Sequence, residues 1–350
     1  MTMLHTPEQF IERGLVPPER RAELEAVASR YAVGLAEAMA GLIDPTDPMD
    51  PIARQFVPQA AELSVEPDEL NDPIGDAAHS PVEGVVHRYP DRVLLKVASV
   101  CAVYCRFCFR REMVGPGKAK PLSASALDVA LDYIRSHQEI WEVILTGGDP
   151  LVLSSRRLRA VMQALDSIDH VRVVRIHTRV PVADPPRMTP ALVRAMKLRH
   201  KPTYVAIHIN HPRELSADAR FACARMADAG FPLLSQTVLL AGINDTHEVM
   251  AALMRALVEC RIKPYYLHHG DLAPGTGHLR TDLKSGQQLT RGLRGRLSGL
   301  CQPTYVLDIP GGHGKSPVGP SYVAGAGERQ GQILVEDFNG RLHPYPARAV

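Results

Sequence analysis

Three cysteines stand within eight residues, Cys101-Ala-Val-Tyr-Cys105-Arg-Phe-Cys108, in the spacing C-x3-C-x2-C. Thiolates are the usual protein ligands of iron–sulfur clusters, and a cluster of four irons needs four ligands. Three cysteines with no fourth nearby leave one iron open to a small molecule. Two plainer readings use the same residues: a zinc site completed by His87 or His177, and buried thiols with no ligand role. Structural zinc favours four ligands in paired C-x2-C units, and both histidines are distant partners.

A second chemical feature is Ile309-Pro310-Gly311-Gly312-His313-Gly314-Lys315-Ser316. It superficially suggests a phosphate-binding P-loop. That pattern needs Gly five residues before Gly314, where Ile309 stands, and Pro317 removes a backbone donor from the helix that should follow. What remains is a lysine on a flexible glycine-rich loop at a strand end. Such a lysine can attack a carbonyl if its pKa is lowered enough to leave it neutral. The plain alternative is a surface lysine on a mobile turn. Gly147-Gly148-Asp149 is, on its own, an ordinary strand-end turn.

The elements that must position these residues follow from periodicity. Short apolar runs rich in β-branched residues recur at 92–98, 142–147, 171–177, 203–209, 233–240 and 263–269, separated by stretches with helical patterning. Six alternating β/α units predict a parallel sheet, because each crossover helix returns the chain to the same edge. The count does not distinguish a partial barrel from an open doubly wound sheet. A seventh strand is expected at 303–309, running into the glycine–lysine loop, and a hairpin about Asn339-Gly340 near the end of the chain. Residues 1–85 have a different texture. Residues 20–43 read as helix, and the Asp-Pro-rich stretch after them as extended, turning chain. The expected division is an N-terminal helical arm at 1–85, a core at 86–300 and a C-terminal segment with the lysine loop at 301–350.

The 350 residues carry 40 Lys+Arg against 38 Asp+Glu, a balance that argues against a dedicated nucleic-acid binder. Six cysteines in such a chain are too sparse for a disulfide scaffold. The N-terminal residues lack the apolar stretch of a signal peptide, and no run approaches the roughly 18 apolar residues of a membrane span. A cytoplasmic location is expected, where clustered thiols read as metal ligands.

The cysteine spacing after the first strand of a β/α series resembles the radical S-adenosylmethionine superfamily, and Phe107 fits its pattern. The resemblance implies a [4Fe-4S] cluster on Cys101, Cys105 and Cys108. Its fourth iron chelates the methionine amino and carboxylate groups of S-adenosyl-L-methionine, and an electron cleaves the S–C bond to give a 5′-deoxyadenosyl radical. Gly147, Gly148 and Asp149 then fall where that superfamily binds the methionine amino group.

With the lysine loop added, the chain resembles the lysine 2,3-aminomutase family from about Leu15 to Tyr322. The matching blocks are 50–58, 87–95, 101–111, 209–214, 235–245, 264–280 and 303–315, in that order. The implied fold is α/β, a partial (β/α)6 barrel of the radical S-adenosylmethionine type. The implied activity is migration of an amino group from Cα to Cβ, converting L-lysine to L-β-lysine, with S-adenosylmethionine regenerated. By the same resemblance Lys315 carries pyridoxal 5′-phosphate as a Schiff base, Arg88 and Arg92 bind its phosphate and Tyr89 stacks on its ring. His208 and Gln236 lie near the S-adenosylmethionine ribose. Arg110 takes the substrate carboxylate, and Asp271 with Asp308 the ε-ammonium. A glutamate-specific relative is expected to lack that acidic pair. The implied partners are an electron donor such as flavodoxin or ferredoxin and further copies of the chain in a homo-oligomer.

The chain also departs from the family. The position near the fifth strand that supplies a zinc ligand in longer members reads Gly230-Phe231-Pro232, and no Cys follows Cys301. His313 interrupts the glycines, either touching the cofactor phosphate or exposed. The short length resembles the branch that isomerises lysine before its attachment to elongation factor P, which is the main alternative. A related amino-acid 2,3-aminomutase and a non-catalytic iron–sulfur or zinc-stabilised protein are the others.

Overall fold

The computed structural model describes residues 3–115, 122–328 and 331–346. The ends of the expected arm and C-terminal segment, 1–2 and 347–350, lie outside the described residues. Nine strands form one sheet in chain order. They are β1 Val85–Tyr89, β2 Arg92–Ala98, β3 Glu142–Gly147, β4 Val173–Thr178, β5 Thr203–His208, β6 Leu233–Val238, β7 Ile262–His268, β8 Thr304–Ile309 and β9 Gly314–Pro317. Strands β2 to β8 run parallel, and β1 and β9 close the two edges antiparallel. The result is six β/α units, a seventh parallel strand and a nearly closed barrel-like sheet, an α/β fold.

The crossover helices have their own start signals. Ser123, Ser154, Thr189, Ser216, Thr246 and Asp282 each accept a hydrogen bond from a backbone N–H in the first turn of the helix that follows. Such a cap contributes about 1 kcal/mol. Helix α1, Ser155–Asp166, shows why these segments pack on the sheet: Leu158, Val161, Met162 and Leu165 repeat at helical spacing and are buried. Truncating Leu158 to alanine would cost about 2–5 kcal/mol.

Strand alternation sends every second side chain inward. On β3, Val143 and Leu145 join the helix-covered core, whereas Glu142, Ile144 and Thr146 line an internal cavity. On β4, Val174 and Ile176 enter the core, and Arg175 and His177 line the cavity. The helix-facing side of the wall is therefore apolar, and the cavity side sets charged and polar side chains among apolar ones.

The N-terminal region corrects one expectation. The helix expected over 20–43 is two helices, Arg21–Arg30 and Glu37–Ala40, with extended chain between. The break follows from Tyr31, which is drawn into the interior with the Arg111 guanidinium 3.5 Å from its ring centroid. Leu35–Ala36 then pairs with Met3–Leu4. Phe10, Leu24, Leu35 and Phe56 belong to the same apolar core as the sheet.

At the other end, the hairpin about Asn339-Gly340 is present as Gln332–Glu336 paired with Leu342–Pro346, and Val323–Ala326 adds a third strand. Gly340 takes a positive φ of 82°, as the turn requires. Among the described residues, no helix is long and apolar enough to cross a membrane.

Candidate active site

The internal cavity has a volume of about 700 Å³. All the residues nominated from the sequence line it: the three cysteines, Gly147, Gly148, Asp149, His208, Gln236, Arg88, Tyr89, Arg92, Arg110, Asp271, Asp308 and Lys315. They come from six parallel strands or the loops after them and from both edge strands, so only the curved, nearly closed sheet assembles them.

The cysteine loop leaves the end of β2 and is held by the N-terminal arm. Tyr104 N–H donates to Gly34 O at 2.9 Å and Arg106 N–H to Gln55 O at 2.8 Å. The Arg106 guanidinium grips buried Glu62 through Nε and Nη2 at 2.7–3.0 Å, and Arg111 reaches the same carboxylate. Burial pushes all three thiols up, Cys108 to about 11. A bound metal would offset that cost, because it deprotonates the thiols that ligate it. Among the described residues no three His, Cys, Asp or Glu side chains gather around a single metal ion. A four-iron cluster asks something different, one thiolate for each of three irons, and three thiols lining one cavity fit that demand.

The Gly147-Gly148-Asp149 turn lies directly on the entry to this loop. Gly148 N–H donates to Ala98 O at 2.6 Å and Asp149 N–H to Val100 O at 2.9 Å. A Cβ on Gly147 would come 2.3 Å from Ala98 O, and one on Gly148 2.3 Å from Val100 O. The glycines are needed because backbone meets backbone. The Asp149 carboxylate is taken up by the protein: Oδ1 accepts from Leu151 N–H and Thr178 Oγ1, and Oδ2 from the N–H groups of Arg179 and Val180. It ties the loop after β3 to the loop after β4.

His208 and Gln236 are register partners on β5 and β6. Gln236 Nε2 lies 3.4 Å from Nε2 of His177, a cavity residue considered in the sequence only as a distant zinc ligand. Burial, reinforced by neighbouring cations, pushes His208 down to about 3 and His177 well below its ordinary value. The shifts favour the neutral imidazole at both positions.

Arginines 88 and 110 meet on one carboxylate the sequence reading missed. Asp76 Oδ1 accepts from Arg88 Nη2 at 2.9 Å, and Oδ2 accepts from Arg110 Nε at 3.1 Å and Nη2 at 2.9 Å. Burial alone would raise Asp76, but Arg110, Lys96 and Arg88 hold it below its ordinary value. Arg110 also donates to Thr146 Oγ1 at 3.3 Å. Arg92 stacks over the Tyr89 ring at 3.8 Å and pairs with Asp91 at 2.7 Å.

The lysine is not on the flexible loop, as expected, but on edge strand β9, directly opposite Asp308 of β8. Its Nζ donates to Asp308 Oδ1 at 2.8 Å and Oδ2 at 2.6 Å, and its backbone N–H donates to Tyr89 Oη at 2.7 Å. Gly311 and Gly312, in the turn between these strands, and Gly314, the first residue of β9, all take positive φ, and Gly312 lies against the backbone of Gly75. His313 is exposed. Asp271 is pushed up to about 7, first by burial and then by the Asp308 charge. Arg88 Nε and His268 Nε2 are buried among the described residues without hydrogen-bond partners, and His268 Nδ1 lies 3.9 Å from Asp308. Orphaned polar atoms beside Lys315 fit a site that receives a polar ligand.

A cysteine triplet at the end of the first parallel strand of a barrel-like sheet, braced by a Gly-Gly-Asp turn, defines the radical S-adenosylmethionine class, and residues 95–254 match the Radical SAM superfamily model. That class uses S-adenosylmethionine and a [4Fe-4S] cluster. Residues 290–349 match a second model, lysine-2,3-aminomutase. The chain is 43% identical to the L-lysine 2,3-aminomutase of Clostridium subterminale, over 87% of this chain and 72% of that one. It is 38% identical to that of Acetoanaerobium sticklandii, over 98% and 82%. Identity to the glutamate 2,3-aminomutase of Clostridioides difficile is 37%, over 91% and 74%. The protein belongs to the lysine 2,3-aminomutase family.

Proposed function

We propose that this protein is an isomerase that converts L-lysine to L-β-lysine by moving the α-amino group to Cβ, with pyridoxal 5′-phosphate on Lys315 as a further cofactor. The observation that carries the reading is the charge layout of one cavity, with Arg110 braced by Asp76 and the acidic pair Asp271 and Asp308 beside Lys315. An amino acid ending in an ammonium is complementary to both. Glutamate would bring a carboxylate to the acidic pair, a like-charge encounter that disfavours it.

Cys101, Cys105 and Cys108 would bind three irons. Gly147, Gly148, His208 and Gln236 would face S-adenosylmethionine, with Asp149 fixing the turn. Arg88 and Arg92 would take the phosphate of the second cofactor, and Tyr89 would lie beside its ring. When bound, these groups supply hydrogen-atom abstraction at Cβ and a π-system that carries the migrating nitrogen. The chain itself binds, orients and balances charge. Arg110 fixes the substrate carboxylate. Asp308 exchanges the Lys315 ammonium for the substrate's, and Asp271 gives up its proton as that second cation arrives. Neutral His177 and His208 avoid repelling a sulfonium.

A flavodoxin- or ferredoxin-type donor, a cytoplasmic setting and a homo-oligomer belong to the same reading. The test is anaerobic turnover of lysine, ornithine, arginine and glutamate by the reconstituted protein, with product identification. β-Lysine is the expected product, and turnover of glutamate with none of lysine would overturn the proposal.

A further inference from the structure

Arg179, directly after β4, is 6% exposed and carries its guanidinium into the floor of the cysteine loop. Its Nη1 donates to Cys105 Sγ at 3.2 Å. Its Nη2 donates to Glu214 Oε2 at 2.6 Å and to Gln55 Oε1 at 2.8 Å. The guanidinium carbon lies 4.7 Å from the Phe56 ring centroid and 5.6 Å from that of Phe107. Its backbone N–H is fixed by Asp149 at 2.6 Å. The guanidinium is thus held by the arm and by the loop after β5, the backbone of Arg179 by the Gly-Gly-Asp turn, and Nη1 is directed at a cysteine sulfur.

Hydrogen bonds to ligand sulfurs and nearby charge are two of the terms that set the potential of an iron–sulfur cluster. A donated N–H and a nearby positive charge both stabilise the reduced form, which carries one more electron. Glu214 acts in the opposite sense. It is fully buried, and its carboxylate partly neutralises Arg179 while also accepting N–H groups of Asn210 and His211 at 2.9 Å. We propose that Arg179 is a positioning residue that raises the reduction potential of the cluster through its N–H···S bond to Cys105, and that Glu214 limits the size of that effect.

The inference rests on the triplet holding a cluster. It is tested on anaerobically reconstituted wild type, Arg179→Gln, Arg179→Lys and Glu214→Gln, with iron and sulfide content measured first and midpoint potential by dithionite titration followed by electron paramagnetic resonance. In Arg179→Gln the reduced-to-oxidised ratio at the wild-type midpoint should fall about tenfold, about 59 mV for a one-electron couple. Glu214→Gln, which keeps shape and loses charge, should shift the potential to the positive side, and Arg179→Lys should lie between Arg179→Gln and wild type. Unmoved potentials with full iron content, or shifts of the same sign in Arg179→Gln and Glu214→Gln, would overturn the proposal while leaving the cluster reading intact. If Arg179→Gln takes up no iron, an unmoved Glu214→Gln potential alone overturns it. A wild-type protein that binds no iron would remove both.

Discussion

The hydroxyl of Tyr89 accepts the backbone N–H of Lys315 at 2.7 Å, joining the first and last strands of the sheet across 226 residues of sequence. Gly314 lies so close that a Cβ there would sit 2.9 Å from the same hydroxyl. The hydrogen bond that bridges the two edge strands is therefore also the support of the candidate cofactor lysine. Tyr89→Phe keeps the ring beneath Arg92 and leaves the Lys315 N–H unpaired. It should lower stability by about 1–3 kcal/mol, measured by denaturant unfolding, and weaken retention of pyridoxal phosphate.

Asp76 holds two arginines that the proposed function gives to different ligands. Asp76→Ala would strand both guanidinium groups in a buried site, a loss of about 3–5 kcal/mol. Asp76→Asn retains the shape and one acceptor, and should fold. In that variant KM for lysine should rise and pyridoxal phosphate should bind more weakly, since Arg110 and Arg88 lose the same anchor. A change in only one of these would show that the bridge does not couple the two sites.

The turn at Gly147 and Gly148 makes a prediction about metal content rather than rate. Alanine at either position puts a methyl 2.3 Å from a carbonyl oxygen at the end of β2 or just beyond it. Gly147 carries the further strain of a φ of 109°. The chain must shift where the cysteine loop begins, so both variants should incorporate less iron and sulfide on anaerobic reconstitution, Gly147→Ala the less of the two. Wild-type iron content in both would refute this account of the turn.

How much of this was visible in the sequence depends on whether a residue's role is set by spacing or by distance. The cysteine triplet and the strands were legible because ligand spacing and buried parallel strands both leave local patterns. Asp76 left none: it is one acid in a Gly- and Asp-rich turn, and its partners lie 12 and 34 residues away. Arg179 leaves no local pattern either, since its partners Cys105, Gln55 and Glu214 lie 74, 124 and 35 residues away. The break at Tyr31 was hidden for the same reason, since the periodicity of 20–43 carries no sign that Arg111 will draw one ring inward. Lys315 itself was found, but its place on β9 depends on pairing with β8, which local composition does not report.

Asp271 predicts a dependence on pH. Its ordinary value is 3.8 and the folded chain raises it to about 7. Between those limits the folded chain keeps a proton that the unfolded chain has lost, so this carboxyl's contribution to stability falls as pH rises from about 4 to 7. Binding an ammonium asks for the ionised form. Affinity for lysine should therefore weaken by up to about tenfold for each pH unit below 7, with proton release on binding near neutrality in calorimetry. Asp271→Asn should bind lysine weakly at every pH and lose the slope; a slope that survives would assign it to another group.

Two roles meet at Asp308, as partner of the lysine and as partner of the substrate ammonium. Its carboxylate now holds the Lys315 amine, which must leave that pair to be joined covalently to a cofactor carbonyl. Borohydride reduction of the pyridoxal-phosphate-loaded protein should add the cofactor's mass to the peptide containing Lys315, and Lys315→Ala should gain none there. In Asp308→Asn the amine is freed from its ion pair but the substrate ammonium loses half of its acidic partner. Labelling of Lys315 should persist while KM for lysine rises. Loss of labelling in Asp308→Asn with an unchanged KM would reverse the assignment, making Asp308 a support of the lysine rather than a partner of the substrate.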